Sequence, residues 1–269
     1  MKNKLRKYFV IGNPIDHSLS PKLQNYWLKQ NNIKAIYDKI KLETDSLEKF
    51  VQNIKEQKVV GCNVTVPFKK KIISFLDKLS SDAEITQSVN TVVFDNGDLV
   101  GHNTDIAGFD KAIKSLDFNM KDKKVLILGA GGVVSSIIFA LIKMDVSEIM
   151  VANRTRQKAE DLKILFKNNL KVIEWGKIPE LDVIINATSL GLNNESINLD
   201  FSNVGKNKLF YDVIYNPNET NFLKKAKALG NKAENGKLMF IYQAMEAFKL
   251  WHGIEPQVNN KTVRVLEND

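Results

Sequence analysis

Residues 124–134, KVLILGAGGVV, carry the strongest fold signal in the chain. Lys124 to Leu128 form a near-continuous apolar run, the mark of a strand buried on both faces of a parallel sheet. Gly129, Ala130, Gly131 and Gly132 follow, and then an apolar helix is expected from Val133-Val134 to about Met144. Strand, glycine turn and helix in that order let backbone N–H groups approach a pyrophosphate at the helix N-terminus. A GxG turn alone is equally a plain loop; the flanking strand and helix supply the context that phosphate binding requires. Val134 occupies the third small position of the fingerprint.

The next apolar run, EIMVANRT, ends at Asn153-Arg154-Thr155, and Asn153 lies 22 residues beyond Gly131. A carboxylate at this spacing binds the ribose 2′-hydroxyl of NAD. Here Asn153 and Arg154 stand in its place, with Lys158 one turn further on. A guanidinium and an ammonium suit a 2′-phosphate. Arg154 and Lys158 could also be a solvated helix start. Cations are unfavourable at that end of a helix, which favours the phosphate reading and NADP.

Outward from this core, strands and helices alternate for nearly the whole length, which predicts an α/β protein with largely parallel sheets. KYFVIG, AIYDKIKL, VVGCNVT, LDVIINAT and KLFYDVIY read as strands, with helices between the later ones. Helices are expected from Ser20, as cap with Pro21 in the first turn, from Ser46 to Glu56, after Pro67, after Asp105, and across LMFIYQAMEAFKLW. NTVVFDNGDLVGHNTD reads as a hairpin turning on Asp95-Asn96-Gly97-Asp98. The polar stretch Asp117–Lys124 reads as a connector between two domains that share a cleft.

Composition narrows the function. The 269 residues are 43% apolar and 26% charged, so a packed core is expected and disorder is excluded. The net charge of +8 is spread through every segment without a basic stripe, so no nucleic-acid partner is expected. One cysteine, Cys62, forbids an internal disulfide and suits a reducing compartment, here the cytoplasm. His17, His102 and His252 are far apart, so no metal site is expected. The basic start ends its apolar run at Gly12-Asn13-Pro14, too short for a signal peptide or a membrane span.

The front half carries four polar motifs. In GNPIDHSLSP, Ser18 and Ser20 beside a helix N-terminus form a carboxylate cradle, although Ser20 alone could be only a cap. NVTVPFK brings Asn63 and Thr65 to the C-terminal end of a strand, where α/β sheets bind ligands, and places Lys69 in the turn after Pro67. A lysine in such a setting can serve as acid and base, whereas Lys70 and Lys71 read as a solvated basic face. Asn90 in SVNT and Asn103, Thr104 and Asp105 in NTD complete the set. Asp105 could instead only cap the following helix. Asn63, Lys69, Asn90 and Asp105 together suit a polyhydroxylated ligand, and spacing alone does not show whether they converge.

Taken in order, GNPIDHSLSP, NVTVPFK, VNT, NTDIAGF, GAGG, NRT, NATSLG, DVIYNP and YQA resemble the shikimate dehydrogenase family almost end to end. The resemblance implies two α/β domains flanking a cleft. Residues 1–105, completed by 237–269, would bind substrate, and 106–236 would be a Rossmann-type, parallel-sheet NADP domain. It implies that Ser18 and Ser20 bind the shikimate carboxylate, and that Asn63, Thr65, Asn90, Asp105 and Gln243 bind the ring hydroxyls. Lys69 and Asp105 would be the catalytic pair, and Tyr215 would line the substrate pocket. Gly129, Ala130, Gly131, Gly132 and Val133 would hold the pyrophosphate, with Asn153, Arg154, Thr155 and Lys158 on the 2′-phosphate. Thr188, Ser189, Ile214, Gly236 and Met239 would lie on the nicotinamide side. The chain departs from the family at QSVNT, at Val133-Val134, and at Glu234–Met239, where one glycine is lost.

The reaction implied is reversible, NADP-dependent reduction of 3-dehydroshikimate to shikimate, a step of aromatic amino-acid (chorismate) biosynthesis, by a monomer or homodimer without membrane attachment. A quinate/shikimate dehydrogenase is the alternative within the family, but no acidic residue stands at 153 or 154. Glutamyl-tRNA reductase shares a similar GAGG…NRT half but needs a cysteine nucleophile, and Cys62 lies inside a strand motif. A non-catalytic NADP-sensing protein of this fold would be expected to lack Lys69 or Asp105, and both are present.

Overall fold

The computed structural model describes residues 5–267. The first four residues of the basic start, and residues 268 and 269 of the expected front-domain completion, lie outside them. The chain divides into two units: one runs to Gly108 and resumes at Ile241, and the other spans Phe109–Phe240. Both crossings fall inside helices, whereas the polar stretch 117–124 lies wholly within the second unit. A helix satisfies its own backbone, so the chain can pass between units without any linker composition.

The first unit contains β1 (Arg6–Gly12), α1 (Ser20–Gln30), β2 (Ala35–Lys41), α2 (Leu47–Lys55), β3 (Gly61–Val64), α3 (Phe68–Lys71), β4 (Lys78–Leu79), α4 (Ser81–Thr86), β5 (Thr91–Asp95), β6 (Asp98–His102) and the start of α5 (Asp105–Lys114). Its sheet order is β2-β1-β3-β5-β6-β4, parallel through β2, β1 and β3 and antiparallel on both sides of β5. Helix α2 buries Leu47, Phe50, Val51 and Ile54, one helical stripe, among the buried residues Ile11, Val64 and Phe68. The hairpin turns where expected: Asn96 and Gly97 have φ of 49° and 96°, the left-handed pair that matches strand twist.

The second unit contains β7 (Lys124–Leu128), α6 (Val134–Lys143), β8 (Glu148–Ala152), α7 (Arg156–Phe166), β9 (Lys171–Val172), β10 (Val183–Asn186), β11 (Leu209–Asp212), α8 (Asn221–Ala228) and β12 (Lys232–Glu234). Its sheet is parallel throughout, in the order β12-β11-β10-β7-β8-β9. Numbered from β7, that is the doubly wound order 3-2-1-4-5-6, which reverses between β7 and β10. The continuous apolar runs are explained by burial on both faces: Val125 to Leu128 and Val183 to Ile185 are all 0% exposed. Helix α9 (Lys237–His252) leads back into the first unit, where α10 (Asn260–Val265) follows.

Three expectations need correction. Ser20 is the first residue of α1, not its cap; Leu19 holds the cap position, and the Ser18 hydroxyl accepts the Ser20 N–H at 3.3 Å. The helix after Pro67 is a single turn, α3, continued as a 3-10 segment over Ile72–Phe75. Among the described residues no helix lies between β10 and β11, where turns and extended chain connect the strands.

Candidate active site

In the first unit, three elements bring the polar residues together. After β3, Thr65 N–H donates to Ile11 O at 2.9 Å, and Phe68, 0% exposed, anchors α3 in the core. Gly12 makes room for this turn, since a Cβ there would stand 2.5 Å from the Thr65 methyl. The carbonyl of Lys69 accepts Val89 N–H at 2.9 Å, which ties α3 to the segment holding Asn90.

Lys69 Nζ lies 2.5 Å from Asp105 Oδ2, with the two side chains only 12% and 7% exposed. Water screens such a pair far less than it screens surface ion pairs. Asn90 Nδ2 donates to the other oxygen, Asp105 Oδ1, at 2.9 Å and reaches Gln243 Oε1 at 3.4 Å. The Asn90 amide is itself held by its oxygen, which accepts Thr104 N–H at 2.8 Å and the Thr91 hydroxyl at 3.0 Å. Lys69, Asn90, Asp105 and Gln243 therefore converge.

Asn63 joins the same network by donating to Asn90 O and Thr91 Oγ1, at 3.1 and 2.9 Å. Its amide oxygen accepts the Tyr37 hydroxyl at 2.6 Å and keeps a second lone pair for a ligand hydroxyl. Ser20 is hydrogen-bonded to the same Tyr37, whose phenol is pushed well above its usual range by burial. Ser18 is half-buried beside it in the chain. Tyr37 escaped the sequence reading, and Thr91 stood in it only as the last residue of SVNT. Tyr37 stands in an alternating strand, where a buried tyrosine looks like core, and its partners are 17 and 26 residues away.

In the second unit, the glycine turn sits at the reversal of the sheet. Gly129 has φ of 109°, and a Cβ there would stand 2.8 Å from Ala187 O, so glycine is required twice over. Helix α6 starts at Val134 after the cap residue Val133, which offers no side-chain acceptor to the helix's first N–H groups. At the end of β8, Asn153 donates to Thr155 O at 2.8 Å, while Arg154 and Lys158 are exposed and have no ion-pair partner among the described residues. Arg156, which begins α7, is spent on Glu160 at 2.9 Å. A glycine turn at a helix start, free cations and no carboxylate at the end of β8 fit a 2′-phosphorylated dinucleotide.

The residues expected on the nicotinamide side fall on two neighbouring strand ends. Thr188 and Ser189 follow β10, and Ile214 and Tyr215 follow β11. Gly236 is required for packing, because a Cβ there would lie 2.1 Å from Val213 O. Met239, in the first turn of α9, is buried. The Tyr215 ring stacks on Phe240 with centroids 4.5 Å apart; Tyr215 thus belongs to the second unit, while the other proposed substrate groups belong to the first. Sequence reasoning quoted Asn186 and Asp212 only within NATSLG and DVIYNP and missed that, with Thr220, they form a buried polar network behind these loops. Polar residues ending otherwise apolar runs, VIIN and LFYD, were the available signal.

Cys62 is 0% exposed and burial pushes its thiol up, so it is an inert core residue rather than a nucleophile. Among the described residues, no group of three or more His, Cys, Asp or Glu side chains is placed to hold a metal ion, and no helix is long and apolar enough to cross a membrane.

Known proteins resemble this chain in sequence and fold. Residues 10–92 match the model of the shikimate dehydrogenase substrate binding domain, 110–213 that of shikimate / quinate 5-dehydrogenase, and 238–259 that of the shikimate 5′-dehydrogenase C-terminal domain. A shikimate dehydrogenase (NADP(+)) of Pelagibacter ubique is 52% identical over 263 residues, covering 97% of this chain and 99% of that protein. The crystal structure of shikimate dehydrogenase from Aquifex aeolicus matches with a TM-score of 0.88 at 37% identity, covering 100% of both chains. The Thermus thermophilus enzyme in complex with NADP(H) and shikimate matches with a TM-score of 0.89 at 31% identity, covering 97% of this chain and 98% of that one.

Proposed function

This chain belongs to the shikimate dehydrogenase family and is an NADP-dependent oxidoreductase of that class, and we propose that its reaction, the reversible reduction of 3-dehydroshikimate to shikimate, runs on Lys69 and Asp105. The observation that carries the assignment is the shielded 2.5 Å pair of Lys69 and Asp105, with Asn90 on the carboxylate's second oxygen.

The bound cofactor supplies and accepts the hydride at its nicotinamide ring; the protein supplies placement and a proton. Lys69 is the cation paired with Asp105 in the buried cluster and gives its proton to the substrate's carbonyl oxygen during reduction, taking it back during oxidation. Its positive charge also stabilises negative charge developing on that oxygen. Asp105 holds the ammonium in place, Asn90 holds Asp105, and Asn90 and Gln243 present polar atoms to ring hydroxyls. Ser18 and Ser20 take the carboxylate at the start of α1, and the free lone pair of Asn63 takes a hydroxyl. Thr65 and Tyr215 are the remaining substrate residues of this reading.

In the second unit, Gly129 to Val133 receive the pyrophosphate, and Asn153, Arg154, Thr155 and Lys158 the adenosine 2′-phosphate. Thr188, Ser189, Ile214, Gly236 and Met239 take the nicotinamide side. The substrate-binding domain is the unit ending at Gly108 with its C-terminal completion, and the cofactor domain is Phe109–Phe240. The partner is a small molecule, and the reducing cytoplasm suits the lone Cys62.

Mixing the pure protein with shikimate and NADP⁺ tests the reading. NADPH absorbance should appear with shikimate and be far weaker with quinate or with NAD⁺; its absence with shikimate overturns the proposal.

A further inference from the structure

We infer that Asp212 is a positioning residue of the cofactor site: its buried carboxylate fixes the two loops, residues 187–191 and 213–220, that carry Thr188, Ser189, Ile214 and Tyr215. The inference rests on the reading of this unit as the NADP-binding one.

Asp212 ends β11, is 0% exposed and has no cationic partner among the described residues. A carboxylate in that place is costly, and an apolar side chain would pack the strand end without the cost. What the carboxylate does is collect donors from outside its own strand. Oδ1 accepts Asn186 Nδ2 at 3.0 Å and Ile214 N–H at 3.0 Å; Oδ2 accepts the Thr220 hydroxyl at 2.6 Å.

Each donor controls one segment. Asn186, also 0% exposed, accepts the Thr188 N–H at 3.0 Å and hydroxyl at 2.7 Å, and donates to Leu190 O at 3.2 Å. That closes the turn after β10. The Ile214 N–H sets the first bend after β11. Thr220 ends the second loop: its hydroxyl caps α8 through Leu223 N–H at 3.4 Å, and its methyl packs so close to Gly191 that a Cβ there would stand 3.0 Å away. One carboxylate thus sets both strand-end loops.

The test compares unliganded wild type with Asp212→Asn, Thr220→Val and Thr220→Ser by hydrogen exchange. Peptides covering 187–191 and 213–220 should exchange about tenfold or more faster in Asp212→Asn and Thr220→Val, the scale of a lost hydrogen bond to a charged group. Thr220→Ser, which keeps the hydroxyl, should hold wild-type protection, and peptides over α7, residues 156–166, should be unchanged in all. Calorimetry supplies the second arm. Affinity for NADP⁺ should fall about tenfold in the two damaging variants, with affinity for 2′,5′-ADP held within about twofold. Unchanged loop exchange, or equal losses for the two ligands, overturns the inference. If Asp212→Asn does not fold, the Thr220 pair decides alone. A wild type that binds neither ligand contradicts the cofactor reading instead, and the exchange arm still judges the network.

Discussion

Asn90 Nδ2 lies 2.9 Å from Asp105 Oδ1, the carboxylate oxygen that Lys69 does not use. Both oxygens are therefore occupied by donors from different segments, and the carboxylate cannot turn without breaking a shielded contact. The position of the Lys69 ammonium is inherited from this arrangement.

Removing the Asn90 amide should then disturb chemistry more than cofactor binding. Asn90→Ala should lower kcat/KM for shikimate by about 10- to 100-fold, the worth of a hydrogen bond to a charged group. Steady-state kinetics should show the KM for NADP⁺ within about twofold of wild type. A matching loss for NADP⁺ would mean that Asn90 acts through general destabilisation.

Arg154 is exposed and without an ion-pair partner among the described residues, so its charge is available to a phosphate. Arg154→Ser should raise the KM for NADP⁺ by about 10- to 100-fold and leave the KM for NAD⁺ nearly unchanged, as a charge-assisted contact to the 2′-phosphate requires. Equal effects on the two cofactors would remove Arg154 from that contact.

Gly129 and Gly176 both have left-handed backbone, φ of 109° and 105°, but only at Gly129 would a Cβ meet the neighbouring chain. Gly129→Ala should cost more stability than Gly176→Ala, whose cost is limited to backbone strain of about 1–3 kcal/mol. Thermal unfolding ranks the two, and NADP⁺ binding should be damaged only at Gly129. Equal melting temperatures would show that the approach of Ala187 O is relieved without penalty.

Burial, with a smaller contribution from the Arg6 charge, depresses His252 to about 4. Its ring packs against Tyr8 and Phe248. A histidine whose folded value lies below the unfolded value of about 6.5 supports the fold fully above that pH, and loses the support as pH falls towards 4. Urea unfolding midpoints should decline across that window with a slope that His252→Phe reduces by at most about 1.4 kcal/mol per pH unit. Parallel declines in the two proteins would place the acid sensitivity elsewhere.

The parts of this fold that were legible in the sequence are those set by local pattern. KVLIL is a buried central strand because every residue must face apolar neighbours, and Asn96-Gly97 turns because those residues tolerate left-handed backbone. Edge strands β4, β9 and β12 are two or three residues long, too short to carry a period. The contact between Lys69 and Asp105 spans 36 residues, and the one between Asn186 and Asp212 spans 26, so neither has a local signature. Family motifs supplied the first pair. The second pair opens the motifs NATSLG and DVIYNP but received no role, and Tyr37 stood in no motif, because a buried polar residue is defined by partners that only the folded chain brings near.

The most direct test of the account is turnover by Lys69→Ala alongside its shikimate affinity. The account predicts kcat lower by about 10²–10⁴-fold, the range for loss of a general acid–base, with shikimate still bound. Near-normal turnover in that variant would contradict it.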